Sequence, residues 1–157
     1  MNESALGNTN LAQVAILVRD IEEARHRFAA LLGQEPPKII ITQPGDEVAM
    51  TYRGAPSNAQ CKLAFFSVGP VQLELIEPMG GASTWQEGLD QQGESVHHIA
   101  FWTDDMQKSV DGLKAHSAPM VQRGDMGDGQ YAYFDGRERF GVVIELLERT
   151  RKARAMA

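Results

Sequence analysis

Cysteine is the scarcest chemistry in this chain: Cys61 is the only one in 157 residues. No intramolecular disulfide can form, and no cysteine-based zinc site can be built. A lone thiol suits a reducing compartment, so a cytoplasmic setting is expected. Long apolar runs are missing too, since none approaches the roughly 20 residues needed to span a bilayer. The stretch from Met1 to Asn10 has neither a basic segment nor an apolar one, so no secretory leader is read and no membrane partner is expected. Positive charge is in deficit. The 15 lysines and arginines stand against 21 acidic residues, a formal net charge of −6 that argues against nucleic acid as a partner.

What is present is ordinary globular material. Hydrophobic residues at 43% and charged residues at 23% argue against disorder. The length fits one domain of about 150 residues. Within it the sequence repeats itself. Leu11–Asp20 lies over Val96–Asp105 at an offset of 85, placing Gln13 on His98. Val71–Glu77 lies over Val142–Glu148 at an offset of 71, placing Glu74 on Glu145. The first copy therefore carries 14 extra residues, assigned to Gln43–Gln60, which holds prolines and glycines.

Each copy opens with a strand and runs into a helix. Asp20 stands at an N-cap position with Glu23 three residues on, and Gly33 is a natural stop. Asp105 precedes Met106, Val110 and Leu113 at helical spacing. Strands are then predicted at 38–42, 48–52, 62–68 and 71–77 in the first copy, and at 120–123, 130–134 and 142–147 in the second. The plan is β-α-β-β-β per module, an α+β chain with module 1 at about 11–78, a linker at 79–94 holding a short helix over 83–92, and module 2 at about 95–149. The basic tail, 150–157, reads as a solvated end.

Strand alternation sorts the polar residues. Gln13 shares a face with Leu11, Ala15 and Leu17; His98 shares one with Val96, Ala100 and Trp102; His97 should point away. Glu145 stands inside Gly141-Val-Val-Ile-Glu-Leu-Leu147, and Glu74 occupies the matching place in the other copy. A lone ionised carboxylate buried there would be prohibitively unfavourable. A divalent cation answers both, with Gln13, Glu74, His98 and Glu145 as a one-nitrogen, three-oxygen ligand set suited to Zn, Ni, Co or Mn. Leu17, Trp102 and Leu147 are expected to wall the substrate pocket. Tyr52, Tyr131 and Tyr133 read first as core packing, with pocket lining as the alternative. His26 and His116 fall in the helices and read as surface groups.

Val96-His-His-Ile-Ala-Phe101, Gly141-Val-Val-Ile-Glu145, Leu73-Glu-Leu-Ile-Glu-Pro78 and Leu32-Gly33 resemble the vicinal oxygen chelate superfamily over Leu11 to about Arg149. The surroundings are most similar to the methylmalonyl-CoA epimerases, and the ligand set to glyoxalase I. The resemblance implies two tandem βαβββ modules forming one cupped mixed sheet around a metal. It also implies an epimerase or isomerase working on a small-molecule carbonyl or acyl-thioester substrate, with Glu145 and Glu74 as proton-transfer groups, and a homodimer. The first ligand in those epimerases is a histidine, where this chain has Gln13. The arginine and asparagine by which glyoxalase I holds glutathione correspond to Leu17 and Pro78. A glyoxalase I-type lyase and a non-catalytic small-molecule-binding protein are the alternative readings.

Overall fold

Asp20 begins the first helix: its side chain accepts from the Glu23 amide, α1 spans Ile21–Leu32, and Gly33 ends it at φ 64°. The reciprocal half of the expected capping box is not made, because the Glu23 carboxylate accepts from Arg27 instead. Asp105 caps α3, Met106–Ala115, in the same way through the Lys108 amide, and Ser83 caps α2, Thr84–Gln92, through Gln86. A four-residue α4, Arg137–Phe140, was not foreseen. These elements come from a computed structural model that describes residues 3–150 and 155–156. The basic tail reading rests mainly on Arg151–Arg154, which lie outside the described residues.

The strands are β1 Leu11–Leu17, β2 Ile40–Ile41, β3 Thr51–Tyr52, β4 Ala55–Pro56, β5 Cys61–Val68, β6 Val71–Pro78, β7 Ser95–Trp102, β8 Met120–Met126, β9 Gly129–Phe134 and β10 Val143–Arg149. They form one mixed sheet in the order β2-β5-β6-β1-β7-β10-β9-β8-β3-β4. Each module pairs its first strand with its last in parallel, β1 with β6 and β7 with β10, and the modules meet where β1 runs antiparallel to β7. The convex side is covered twice. α1 packs Ile21, Ala24 and Ala29 on Ala64, Phe66 and Leu75, and α3 packs Met106 and Leu113 on Ala132, Phe134, Ile144 and Leu146. The concave side holds a third cluster, in which Trp85 and Leu89 of α2 meet Leu17, Ile76, Tyr133 and Val143.

Two expectations fail in the inserted segment. The strand predicted at 48–52 is a 3-10 turn, Gly45–Val48, followed by only two strand residues. Those two do not extend their own module. β3 pairs with β8, Thr51 opposite Arg123 and Tyr52 opposite Gln122, on the far edge of module 2. The extra residues thus cross the mouth of the cup and tie the two halves together, which strand propensity within one module cannot reveal.

Alternation also fails at one place on each central strand. In the β1–β7 register Gln13 faces Ala100 and Ala15 faces His98, but Ile16 then faces Val96, leaving Ala12 and His97 as extra residues. A bulge turns consecutive side chains toward the same side. Val96 is therefore opposite Ile16 of the convex face and 50% exposed, not on the His98 face.

Candidate metal centre

The register carries three side chains to one point. Ala15 of β1 lies between Glu74 of β6 and His98 of β7, and Glu145 of β10 stands beside Ala100, two residues further along β7. Alanine at 15 and 100, both fully buried, leaves the floor low enough for the longer side chains to converge above it. The imidazole Nε2 of His98 is 3.0 Å from Glu145 Oε2 and 3.3 Å from Glu74 Oε2. All three ligand atoms lie within 4.8 Å of one another. His98 is fully buried, and the two glutamates are 6% and 4% exposed.

These contacts are close without being hydrogen bonds. Glu74 Oε2 and His98 Nε2 are both buried and unpartnered in hydrogen-bonding geometry. Lone pairs from three side chains converging on one space is what a cation requires, so the residues fit a divalent ion bound by one nitrogen and two carboxylates. Burial pushes the Glu74 carboxyl upward, against the neighbouring imidazole, and Glu145 adds to the rise. Burial works against a charged His98, yet Glu145 and then Glu74 outweigh it and raise the imidazole to about 10. A metal ion would take the place of that proton.

A cavity of about 370 Å³ opens above these groups, and its wall includes Val48, Met50, Cys61, Leu63, Trp85 and Leu147. Tyr131 and Tyr133 line it as well, so both packing and lining roles are filled by the same residues. Tyr133 is held by the Trp85 indole, which donates to its hydroxyl at 3.1 Å, and burial raises both tyrosines above their ordinary range. Tyr52 lies elsewhere, its hydroxyl donating to Glu87. Cys61 is buried in the wall, and desolvation, with Glu74 second, pushes its thiol upward, which makes it inert packing rather than a nucleophile.

The expected site residues divide. Glu74, His98 and Glu145 come together. Gln13 lines the same cavity, but its side-chain Nε2 donates to Gln72 Oε1 at 3.0 Å. Leu147 is in the wall; Leu17 and Trp102 are not. Leu17 is covered by α2, where a Cβ on Gly88 would come within 2.7 Å of Leu17 Cδ1. Trp102, at the end of β7 opposite Leu147, is covered by the Arg149 guanidinium, 4.2 Å over its ring. Neither position was readable from strand parity, which reports a face but not what covers it.

His97 was expected to point away and does not. The bulge brings its ring against His98, Nδ1 to Nδ1 at 2.9 Å, and perpendicular to the Tyr133 ring, the centroids 5.2 Å apart at 88°. Burial, then the neighbouring His98, lowers its imidazole well below the ordinary range, so His97 is neutral. The doubled histidine in Val96-His-His-Ile99 was the available signal, and only the bulge gives it meaning.

Known proteins share this fold. Residues 12–134 match the model of the glyoxalase/bleomycin resistance protein/dioxygenase superfamily. The uncharacterized protein YqjC of Bacillus subtilis (strain 168) is 28% identical over 142 residues, 88% of this chain and 91% of that protein. The crystal structure of methylmalonyl-CoA epimerase from Mycobacterium tuberculosis superposes with a TM-score of 0.65 at 20% identity, covering 99% of this chain and 96% of that one. A methylmalonyl-CoA epimerase in complex with methylmalonyl-CoA and NH4+ gives 0.60 at 18% identity, covering 91% and 96%. With two modules cupped around a buried His–Glu–Glu cluster and a family match over most of its length, the chain belongs to the glyoxalase/bleomycin resistance protein/dioxygenase superfamily.

Proposed function

We propose that the protein is a metal-dependent isomerase or epimerase that removes and returns a proton next to a carbonyl. The observation that carries this reading is the convergence of three buried ligand atoms within 4.8 Å at the floor of an apolar-walled cavity. Glu74, His98 and Glu145 would hold the ion, one of Zn, Ni, Co or Mn. Gln13 completes the set through its amide oxygen, since its amide nitrogen is engaged by Gln72. The ion supplies Lewis-acid polarisation of a substrate carbonyl.

The chain's own residues do the rest. Glu145 is the base, its carboxylate taking the α-proton at oxygen and handing it back. Glu74 faces it from the other module and serves the opposite face, which an epimerase requires. Met50, Leu63, Trp85 and Leu147 exclude water from the exchanging proton. No lysine or arginine lines the cavity among the described residues, and Asp125 adds a further carboxylate. Arg123 donates to Gln130, while Arg137 is bound to Asp135 and Glu87. The reacting end of the substrate is therefore a carbonyl or acyl thioester held by the ion rather than by a basic side chain. A homodimer in the cytoplasm belongs to the same reading, by family likeness.

The test is deuterium exchange. Protein reconstituted with each of the four metals, in D₂O, should exchange the α-proton of acyl thioesters, methylmalonyl-CoA among them, and Glu145→Gln should not. Turnover of the glutathione–methylglyoxal hemithioacetal alone would make the protein a glyoxalase I-type lyase. Failure to take up any of the metals would leave a non-catalytic binding protein.

A further inference from the structure

We propose that His97 is the positioning residue of the metal centre: its Nδ1 accepts the Nδ1–H of His98 and keeps the Nε2 lone pair of His98 directed at the ion. The proposal rests on the metal reading above and extends it to a residue that binds neither ion nor substrate.

A neutral imidazole carries one N–H. His98 can offer Nε2 to a cation only with its proton on Nδ1, and the atom facing that position, at 2.9 Å, is His97 Nδ1. His97 Nδ1 must then accept, which places the His97 proton on Nε2. The chain has to break strand alternation to achieve this contact, since His97 is the extra residue of β7 between Val96, opposite Ile16, and His98, opposite Ala15. Without the bulge the two rings would lie on opposite faces of the sheet.

The far side of His97 is consistent with that tautomer. The ring is 5% exposed, and its Nε2 has no hydrogen-bond partner in the protein. It borders a second cavity of about 20 Å³, under α2, together with Thr84, Gly88 and Arg137. Thr84 Oγ1 is likewise buried and unpartnered. That volume suffices for one water, and a water needs two or more polar partners, which His97 Nε2–H and Thr84 Oγ1 supply. The orienting chain thus runs from the N-terminal turn of α2 through His97 to His98. Partners that orient a metal-bound histidine in this way are worth about 10–100-fold in metal affinity.

The experiment measures Co²⁺ affinity by chelator competition for wild type, His97→Phe and His97→Asn, without reference to activity. Phe keeps the ring and removes the acceptor, and should weaken binding about 10–100-fold. Asn places its carbonyl oxygen near the former Nδ1 and should recover most of that loss. A folded His97→Phe variant that binds as tightly as wild type overturns the proposal and leaves the metal reading intact, whereas a wild type that binds no metal overturns both. Should the variants not fold, long-range ¹H–¹⁵N spectra of the Zn²⁺-loaded wild type decide the matter. They should show His98 protonated at Nδ1 and His97 at Nε2; a proton on His97 Nδ1 refutes the assignment.

Discussion

Replacing Glu74 by methionine should stabilise the metal-free protein while abolishing its response to metal. The Glu74 carboxyl is 6% exposed, its Oε2 has no hydrogen-bond partner, and burial raises it above the ordinary carboxylate range. A buried, unsatisfied polar atom costs about 1–3 kcal/mol. Methionine matches the length of glutamate and has no polar atom to satisfy in a wall of Leu63, Phe65 and Tyr133. His98 keeps its nearer partner, Glu145 at 3.0 Å, so no buried charge is orphaned. For a chain of this size each kcal/mol moves Tm by roughly 2–4 °C, so the metal-free variant should melt about 2–12 °C above wild type at pH 7.5. The pH sign follows from the raised carboxyl. An acid whose folded value is raised destabilises the fold while it is ionised, and that penalty fades as pH falls through the raised value, so the gap should narrow in acid. Metal works in the opposite direction. At one hundred times Kd, Zn²⁺ should add about 2.7 kcal/mol to wild type and little to the variant. Calorimetry with chelator and with excess Zn²⁺, at pH 7.5 and pH 4.5, reads all of these effects. A metal-free variant that melts below wild type at pH 7.5, or a variant that retains the full metal-dependent rise, refutes the reasoning.

Other outcomes follow from the same structure. Gly45→Ala would place a Cβ 2.2 Å from the Ser57 carbonyl oxygen, displacing the segment that crosses the mouth of the cavity; steady-state kinetics should show a raised KM, with Co²⁺ affinity unchanged. Asp20→Ala and Asp105→Ala each remove a helix cap and should cost about 1 kcal/mol in urea unfolding without altering metal affinity. Arg137 holds the Asp135 carboxyl below its usual range. The stabilisation from that pair is present above the ordinary carboxylate value and lost as pH falls through the lowered one, so Arg137→Met should destabilise at pH 6 and match wild type in strong acid. Equal destabilisation at both pH values would show that packing, not charge, is what Arg137 provides.

The duplication was legible because it is a matter of residue identity at fixed offsets: Asp20 with Asp105 and Glu74 with Glu145 repeat whatever the backbone does between them. Helix starts were legible for a similar reason, a cap being a local bond from one side chain to an amide three residues on. The strand faces of β6 and β10 follow from alternation, which places Glu74 and Glu145 on the concave side. What escaped was long-range. The pairing of Thr51 with Arg123 depends on where the inserted connection ends, not on the propensity of residues 48–52. The loss of Leu17 from the cavity depends on α2 packing over it, an event between elements rather than within one. Met50, Cys61 and Trp85 reach the wall from an insertion, a strand and a helix, and no local pattern links them.

The paired bulges show how a duplicated scaffold acquires an asymmetric centre. Ala12 and His97 are both the extra residue on their strand, and each immediately precedes the residue at the repeated site, Gln13 or His98. The backbone irregularity is thus common to both modules, and the difference lies in the side chain it presents. In module 2 the bulged residue is an imidazole that touches its neighbour at 2.9 Å. In module 1 it is an alanine with no polar group to offer, and Gln13 is steadied from across the sheet by Gln72 at 3.0 Å. A histidine ring has two nitrogens, so holding one leaves the other directed; an amide held at nitrogen leaves its oxygen. On the proposed reading each module uses a polar neighbour to aim one ligand atom, and the two differ in whether that neighbour is next in sequence or next in space. On this view Ala12→His would supply module 1 with the missing neighbour, but Gln13 has no second ring nitrogen to be aimed by it. Co²⁺ affinity of Ala12→His should stay at the wild-type value, and should fall on Gln72→Leu; a gain from Ala12→His would show that a side chain at the bulge can aim Gln13 and refute this view.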